Sequence, residues 1–217
     1  KSLLVSADGA EQVRGHFRTE LSNWDDLIAS IHLPNFQIKG LKDYVFSLEG
    51  VTLDFSSKRN DSNTNIPEEY QRQYLPEESV LWRGVYAEKV SITLPKAFSR
   101  ASFSAKGLLI DRNGITGTFA ADRILPLEGG NANGWHFSVD HFGLNLLASE
   151  LVSADFQGRL QLPFKGKNTQ LGYEGHLLPN NEYAMRVKTE EALDFSLFNA
   201  RAYLDKNSYV SLRLIGE

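Results

Sequence analysis

Apolar positions along this chain repeat a kinked pattern, h-x-h-x-x-h, usually extended by a further x-h. The copies are Phe36/Ile38/Leu41, Phe46/Leu48/Val51/Leu53, Val85/Ala87/Val90/Ile92, Phe103/Ala105/Leu108/Ile110, Phe137/Val139/Phe142/Leu144 and Phe195/Leu197/Ala200/Ala202. Alternation with period two marks a strand that buries one face, and a one-residue shift of parity marks a bulge or bend. The pattern predicts breaks at 48–51, 87–90, 105–108, 139–142 and 197–200, with Phe46, Val51, Phe137, Phe142, Phe195 and Leu197 buried. The intervals between copies (10, 39, 18, 34 and 58 residues) are too irregular for a solenoid. The fold expected is all-β, built of curved, bulged antiparallel sheets in a sandwich-like or groove-like arrangement.

One short helix is expected near residues 23–31. Val13, Phe17, Leu21, Trp24, Ile28 and Ile31 follow a three-to-four spacing, Ser22 can cap with Asp25 three residues on, and Pro34 closes the segment. Residues 11–21 read equally as strand, because Val13, Phe17 and Leu21 share a parity and Gly15 weakens a helix. Strands follow over 36–56, a long polar insertion over 56–80, and strands again from 81. Asp111-Arg112-Asn113-Gly114 reads as a hairpin turn and Glu128–Gly134 as a polar break. The last hairpins are expected to turn at Pro179–Glu182 and Asp205–Ser208.

At 217 residues the chain fits one all-β domain, or two small ones sharing a sheet, and is large enough to fold without disulfides. Cysteine is absent, which excludes thiolate zinc sites, iron–sulfur clusters and cysteine catalysis. A net charge of −4 and a pI near 5.8 argue against a nucleic-acid footprint. No apolar run reaches membrane-span or signal-peptide length, so no transmembrane segment is expected. The start at Lys1 and the stop just after an apolar strand suggest a module of a longer protein. Its ends should then expose strand edges, with Leu3, Leu4 and Val5, and Val210, Leu212, Leu214 and Ile215, as the apolar candidates.

Two stretches read as familiar wording: Ile66-Pro67-Glu68-Glu69-Tyr70 through Leu81-Trp82-Arg83-Gly84-Val85-Tyr86 to Leu94-Pro95-Lys96-Ala97-Phe98, and Gly134-Trp135-His136-Phe137-Ser138-Val139-Asp140. They resemble segments of large strand-rich proteins of the Bacteroidota, over roughly residues 22–164. The resemblance implies a bacterial module, in the extracellular space or cell envelope, and assigns no site residues.

The ligand-binding candidates are Tyr70, Tyr74 and Trp82, in and after the insertion. Rings can stack on the apolar face of a sugar while neighbouring amides and carboxylates bind its hydroxyls; the competing reading has them pinning the loop to the sheet. His136 and His141 flank Asp140, but the expected parity shift separates them and no third ligand is visible, so no metal is expected. Asn60–Asn65 is rich in oxygen ligands yet lacks the Gly and Glu of an EF-hand loop. The carboxylate pairs Asp25/Asp26, Glu68/Glu69, Glu77/Glu78 and Glu190/Glu191 are adjacent in sequence and point apart, unlike a glycosidase pair. No nucleophile elbow and no phosphate loop is present.

The function expected is therefore a non-catalytic structural or binding module of an envelope, fibre or appendage protein. Its partners would be neighbouring β modules, another protein or a glycan, with no cofactor. The alternatives are a carbohydrate-active enzyme whose carboxylates converge from different strands, and a lipid-binding β groove, which requires an exposed apolar sheet face.

Overall fold

The computed structural model describes residues 4–7, 13–21, 23, 25–75, 81–162, 170–179, 182–197 and 200–215. The strands are β1 (Leu4–Ser6), β2 (His16–Leu21), β3 (Leu27–Ile38), β4 (Val45–Asp54), β5 (Gly84–Thr93), β6 (Ser102–Asp111) and β7 (Gly114–Ala132). They continue with β8 (Trp135–Leu147), β9 (Glu150–Gln161), β10 (Gln170–Leu177), β11 (Tyr183–Thr189), β12 (Leu193–Leu197), β13 (Ala200–Leu204) and β14 (Tyr209–Leu214). The single α-helix described, α1, is Glu68–Tyr74. The chain is all-β, with antiparallel sheets that do not close into a barrel and one short helix.

Two compact units divide the chain, Lys1–Ala120 with Asn145–Leu151 and Ala121–Leu144 with Val152–Glu217. In the first, the strand order is β1-β3-β4-β5-β6-β7, with β2 also on β3; in the second it is β7-β8-β9-β10-β11-β14, and β12 pairs separately with β13.

The helix is not where the periodicity placed it. Residues 27–38 are β3, paired with β2 through Phe17↔Ile31 and Leu21↔Leu27. Asn23 turns this hairpin, its side-chain oxygen accepting the Asp25 N–H at 3.0 Å. Both flanking strands hold β3 in place, so pairing overrides a three-to-four spacing that Ile28 and Ile31 satisfy equally as strand residues. The helix forms instead inside the insertion, after Pro67, with Glu68 and Glu69 in its first turn. A proline at the start and acids against the macrodipole are the sequence signals for it. Seven residues make a marginal helix alone; burial of Tyr70 holds this one.

Three of the predicted breaks fall in one cross-strand row. Pairing runs in constant register from Val45↔Thr93 to Asp54↔Gly84 and from Gly84↔Asp111 to Thr93↔Ser102, interrupted only where Gly50, Glu88 and Gly107 meet. Gly50 and Gly107 both have φ of +56°. Against β3 the same place is a bulge, since the register shifts between Ile31↔Val51 and Leu33↔Leu48. β4, β5 and β6 therefore bend together.

In β8 the buried positions are Ser138 and Gly143, of opposite parity, as a break between them requires. Phe142, however, is exposed, and Phe46, Val51, Phe137 and Phe195 are only half-buried. The side chain of Leu197 lies outside the described residues.

The last copy is not a kink at all. Phe195↔Ala202 and Leu197↔Ala200 are cross-strand pairs of the β12–β13 hairpin. The pattern h-x-h-x-x-h-x-h is a palindrome, so two strands paired with each other reproduce it as readily as one kinked strand does. The polar break at Glu128–Gly134 is also smaller than expected: β7 runs on to Ala132, leaving Asn133-Gly134 as the turn.

Candidate functional site

The fully buried core of the first unit is a cluster of Tyr70, Trp82, Tyr86 and Leu109, with Ile66, Tyr74, Leu75, Leu147 and Ala148 packed against it. Tyr70 and Trp82 each keep 1% of their surface exposed. Neither ring leaves a broad face open to solvent for a sugar to stack on. Tyr74 is half-buried and stacks on Tyr70 with ring centroids 4.9 Å apart. A chemical reason keeps these rings inside. Asp111 Oδ2 accepts the indole N–H of Trp82 at 2.7 Å and the hydroxyl of Tyr70, while Asn113 Nδ2 donates to the Tyr70 oxygen at 2.8 Å. Burial and the neighbouring Asp111 push the Tyr70 phenol up to about 12.

The rest of the insertion is fastened by carboxylates of β4 and of the turn before β3. Asp54, fully buried, accepts the N–H groups of Ser56 at 3.0 Å and Asp61 at 2.8 Å. Burial raises its pKa, and those backbone donors oppose the rise. Asp26 accepts the Ser56 hydroxyl at 2.6 Å, Thr52 donates to Asp61 at 3.0 Å, and Asn60 Oδ1 accepts the Trp82 N–H at 2.9 Å. The oxygens that invited a calcium reading are thus staples of the loop. A polar cavity of about 560 Å³ remains beside Trp82 and Asp111, with Arg83 and Arg112 in its lining.

The other carboxylate pairs are dispersed. Asp25 is exposed while Asp26 is buried, Glu69 is tied to Arg72 at 2.5 Å, Glu190 and Glu191 are exposed, and Glu77/Glu78 lie outside the described residues. In the second unit His141 sits between Asp122 (2.6 Å) and Asp155 (3.4 Å), Asp140 pairs with Arg159 at 3.1 Å, and His136 meets the Gly130 carbonyl at 3.2 Å. Among the described residues no group of three His, Cys, Asp or Glu is placed to hold a metal ion.

The feature that residue-by-residue reading missed is collective. Reading the registers across β3, β4, β5 and β6 gives four rows: Ala29–Leu53–Val85–Ile110, Ile31–Val51–Ala87–Leu108, Leu33–Leu48–Val90–Ala105 and Phe36–Phe46–Ile92–Phe103. All sixteen side chains are apolar. The kinked copies of neighbouring strands stack in register, and the bend at Gly50, Glu88 and Gly107 keeps the rows on both sides of it on one face. The opposite face near the insertion carries Thr52, Tyr86, Leu109 and Asp54, and it is this face that the insertion covers.

The apolar face is no closed core. Ala29, Phe36, Ala87 and Ala105 are buried among their neighbours, Phe103 and Ile110 each retain 43% exposure, and the other ten are half-buried. Phe36 stacks on Phe46 with centroids 5.5 Å apart. By strand spacing and rise the face measures about 14 Å by about 25 Å.

No family model, no curated protein and no solved structure matches this chain.

Proposed function

We propose that this chain is a non-catalytic binding module that takes the hydrocarbon chain of a lipid along the apolar face of β3–β6. One observation carries this reading: four cross-strand rows, sixteen side chains without a polar group among them, twelve of them half-buried or exposed. A patch of this extent matches the largest apolar patch of an ordinary monomer, and such patches are often functional. The chemistry of the face supports an alkyl occupant over a glycan or an extended peptide. Its side chains offer no hydrogen-bond donor or acceptor, and β4 and β5 spend their backbone groups on neighbours at both edges, leaving none for strand addition. An alkyl chain needs only apolar area, at about 0.8 kcal/mol per CH₂ buried. The buried Tyr70 and Trp82 remove the main support for the sugar-binding alternative.

Titration of the purified chain with a fluorescent fatty acid tests the reading. Saturable binding is expected, together with its loss in Phe103→Glu/Ile110→Glu at unchanged circular dichroism, since both side chains are exposed enough to accept charge without unfolding. No saturable binding by the wild-type chain, or equal binding by the folded variant, would refute it.

A further inference from the structure

The apolar face ends, beyond its Phe36–Phe46–Ile92–Phe103 row, at two neighbouring turns, residues 39–44 between β3 and β4 and residues 94–101 between β5 and β6. Val45↔Thr93 is the last pair before them, and the rings of Tyr44 and Phe98 meet at 6.5 Å, so the turns lie side by side. Each presents one large apolar side chain at its tip, Leu41 with 43% and Phe98 with 55% exposure. Around those tips the sequence places Lys39, Lys42, Lys96 and Arg100 against the single carboxylate of Asp43. In a chain of net charge −4 this is a local reversal of sign. Phe98 touches Tyr44 yet keeps more than half of its surface in solvent, and neither it nor Leu41 belongs to the buried core.

We infer that this pair of turns docks the module on an anionic lipid bilayer, with Leu41 and Phe98 entering the interface and the four basic side chains meeting the headgroups. The inference rests on the lipid reading above and deepens it: the row nearest the turns becomes the mouth through which a hydrocarbon chain passes between bilayer and sheet face. Charge complementarity selects the anionic surface, because clusters of four or more basic residues are drawn to it at close range and only weakly to zwitterionic lipid. An apolar tip flanked by cations is the arrangement that interfacial anchors use. An acidic protein surface would satisfy the cations but leave the exposed apolar surface of Leu41 and Phe98 uncovered.

Co-sedimentation with phosphatidylcholine vesicles, with and without phosphatidylglycerol, tests the inference on three proteins: wild type, Lys42→Glu/Lys96→Glu, and Leu41→Ser/Phe98→Ser. The wild-type chain is expected to bind only the vesicles containing phosphatidylglycerol, and to be released by salt. The charge variant should bind at least about 25-fold more weakly, from roughly fivefold for each basic residue lost before the repulsion of the new carboxylates, and the tip variant should also lose binding. Equal binding to both vesicle types, or a charge variant that binds as wild type, would overturn the inference. So would a tip variant that binds as wild type, which would indicate electrostatic adhesion without insertion. All three proteins should still bind the fluorescent fatty acid. Fatty-acid binding without vesicle binding refutes docking alone, whereas vesicle binding without fatty-acid binding refutes the hydrocarbon site alone.

Discussion

Trp82 donates its indole N–H to Asp111 across 2.7 Å, and this bond decides which rings of the insertion a partner can reach. Asp111 closes the β6–β7 hairpin, so a residue that sequence reads as turn punctuation also anchors an insertion more than thirty positions earlier.

All groups that point at the Asp111 carboxylate are donors: the Tyr70 hydroxyl, the Trp82 indole and the Asn113 backbone N–H at 2.8 Å. Asp111→Asn puts an NH₂ where at least one donor already points, leaving a buried donor unsatisfied. A loss of about 1–3 kcal/mol is expected, read as a lower urea midpoint at unchanged slope. The insertion should at the same time become cleavable by trypsin at Arg72 and Arg83. An unchanged midpoint would show that Asp111 does not hold the insertion.

Alkaline pH should act through Tyr70. Its folded pKa, about 12, lies above the ordinary 10, so the folded state holds the phenolic proton more tightly than the unfolded chain does. That contribution is complete below pH 10 and disappears as pH climbs from 10 through 12. Unfolding midpoints measured across this window should fall more steeply for wild type than for Tyr70→Phe. Parallel curves would place the alkaline loss elsewhere.

The two glycines at the bend should differ in tolerance. Both have φ of +56°, which costs an L residue about 1 kcal/mol. A Cβ on Gly107 meets nothing within 4 Å, whereas one on Gly50 falls 2.9 Å from the Cβ of Glu88. Gly107→Ala should therefore cost only the conformational strain, and Gly50→Ala clearly more, because strand pairing holds both backbones. Equal losses in thermal melts would mean that β5 yields at Glu88.

β14 pairs with β11 and with no other described strand, and Val210, Leu212 and Leu214 stand exposed on it, Val210 at 75%. An open apolar edge recruits further strands. Light scattering should show association that grows with concentration and is suppressed by Leu212→Lys. A wild-type chain that stays monomeric throughout would show that the edge is protected.

Parity breaks were legible in the sequence at 48–51, 87–90 and 105–108, because a bulge alters the alternation of one strand and needs no knowledge of its neighbours. At 197–200 the same eight-residue pattern is a hairpin. Distinguishing the two requires knowing whether the halves pair with each other or with third strands, and that is a tertiary fact. The helix misplaced at 23–31 has the same origin: β-branched Ile28 and Ile31 suit a strand as well as a helix, and pairing with Asp54 and Phe17 chose the strand.

The sequence by itself determined that the chain is strand-rich, where β4, β5 and β6 bend, and that 111–114 turns a hairpin, since alternation and turn chemistry act over a few residues. The segment 205–208 also turns, but β13 and β14 on either side of it pair with β12 and β11 rather than with each other. Only the tertiary structure decided which face of those strands the insertion covers. Alternation states that the two faces differ. It carries no information on which one a loop will occupy, and the Asp54, Asp26 and Asp111 staples fastened the insertion over Tyr86 and Leu109. On the other side, where the insertion does not lie, ten of the sixteen apolar side chains stay half-buried and two exposed.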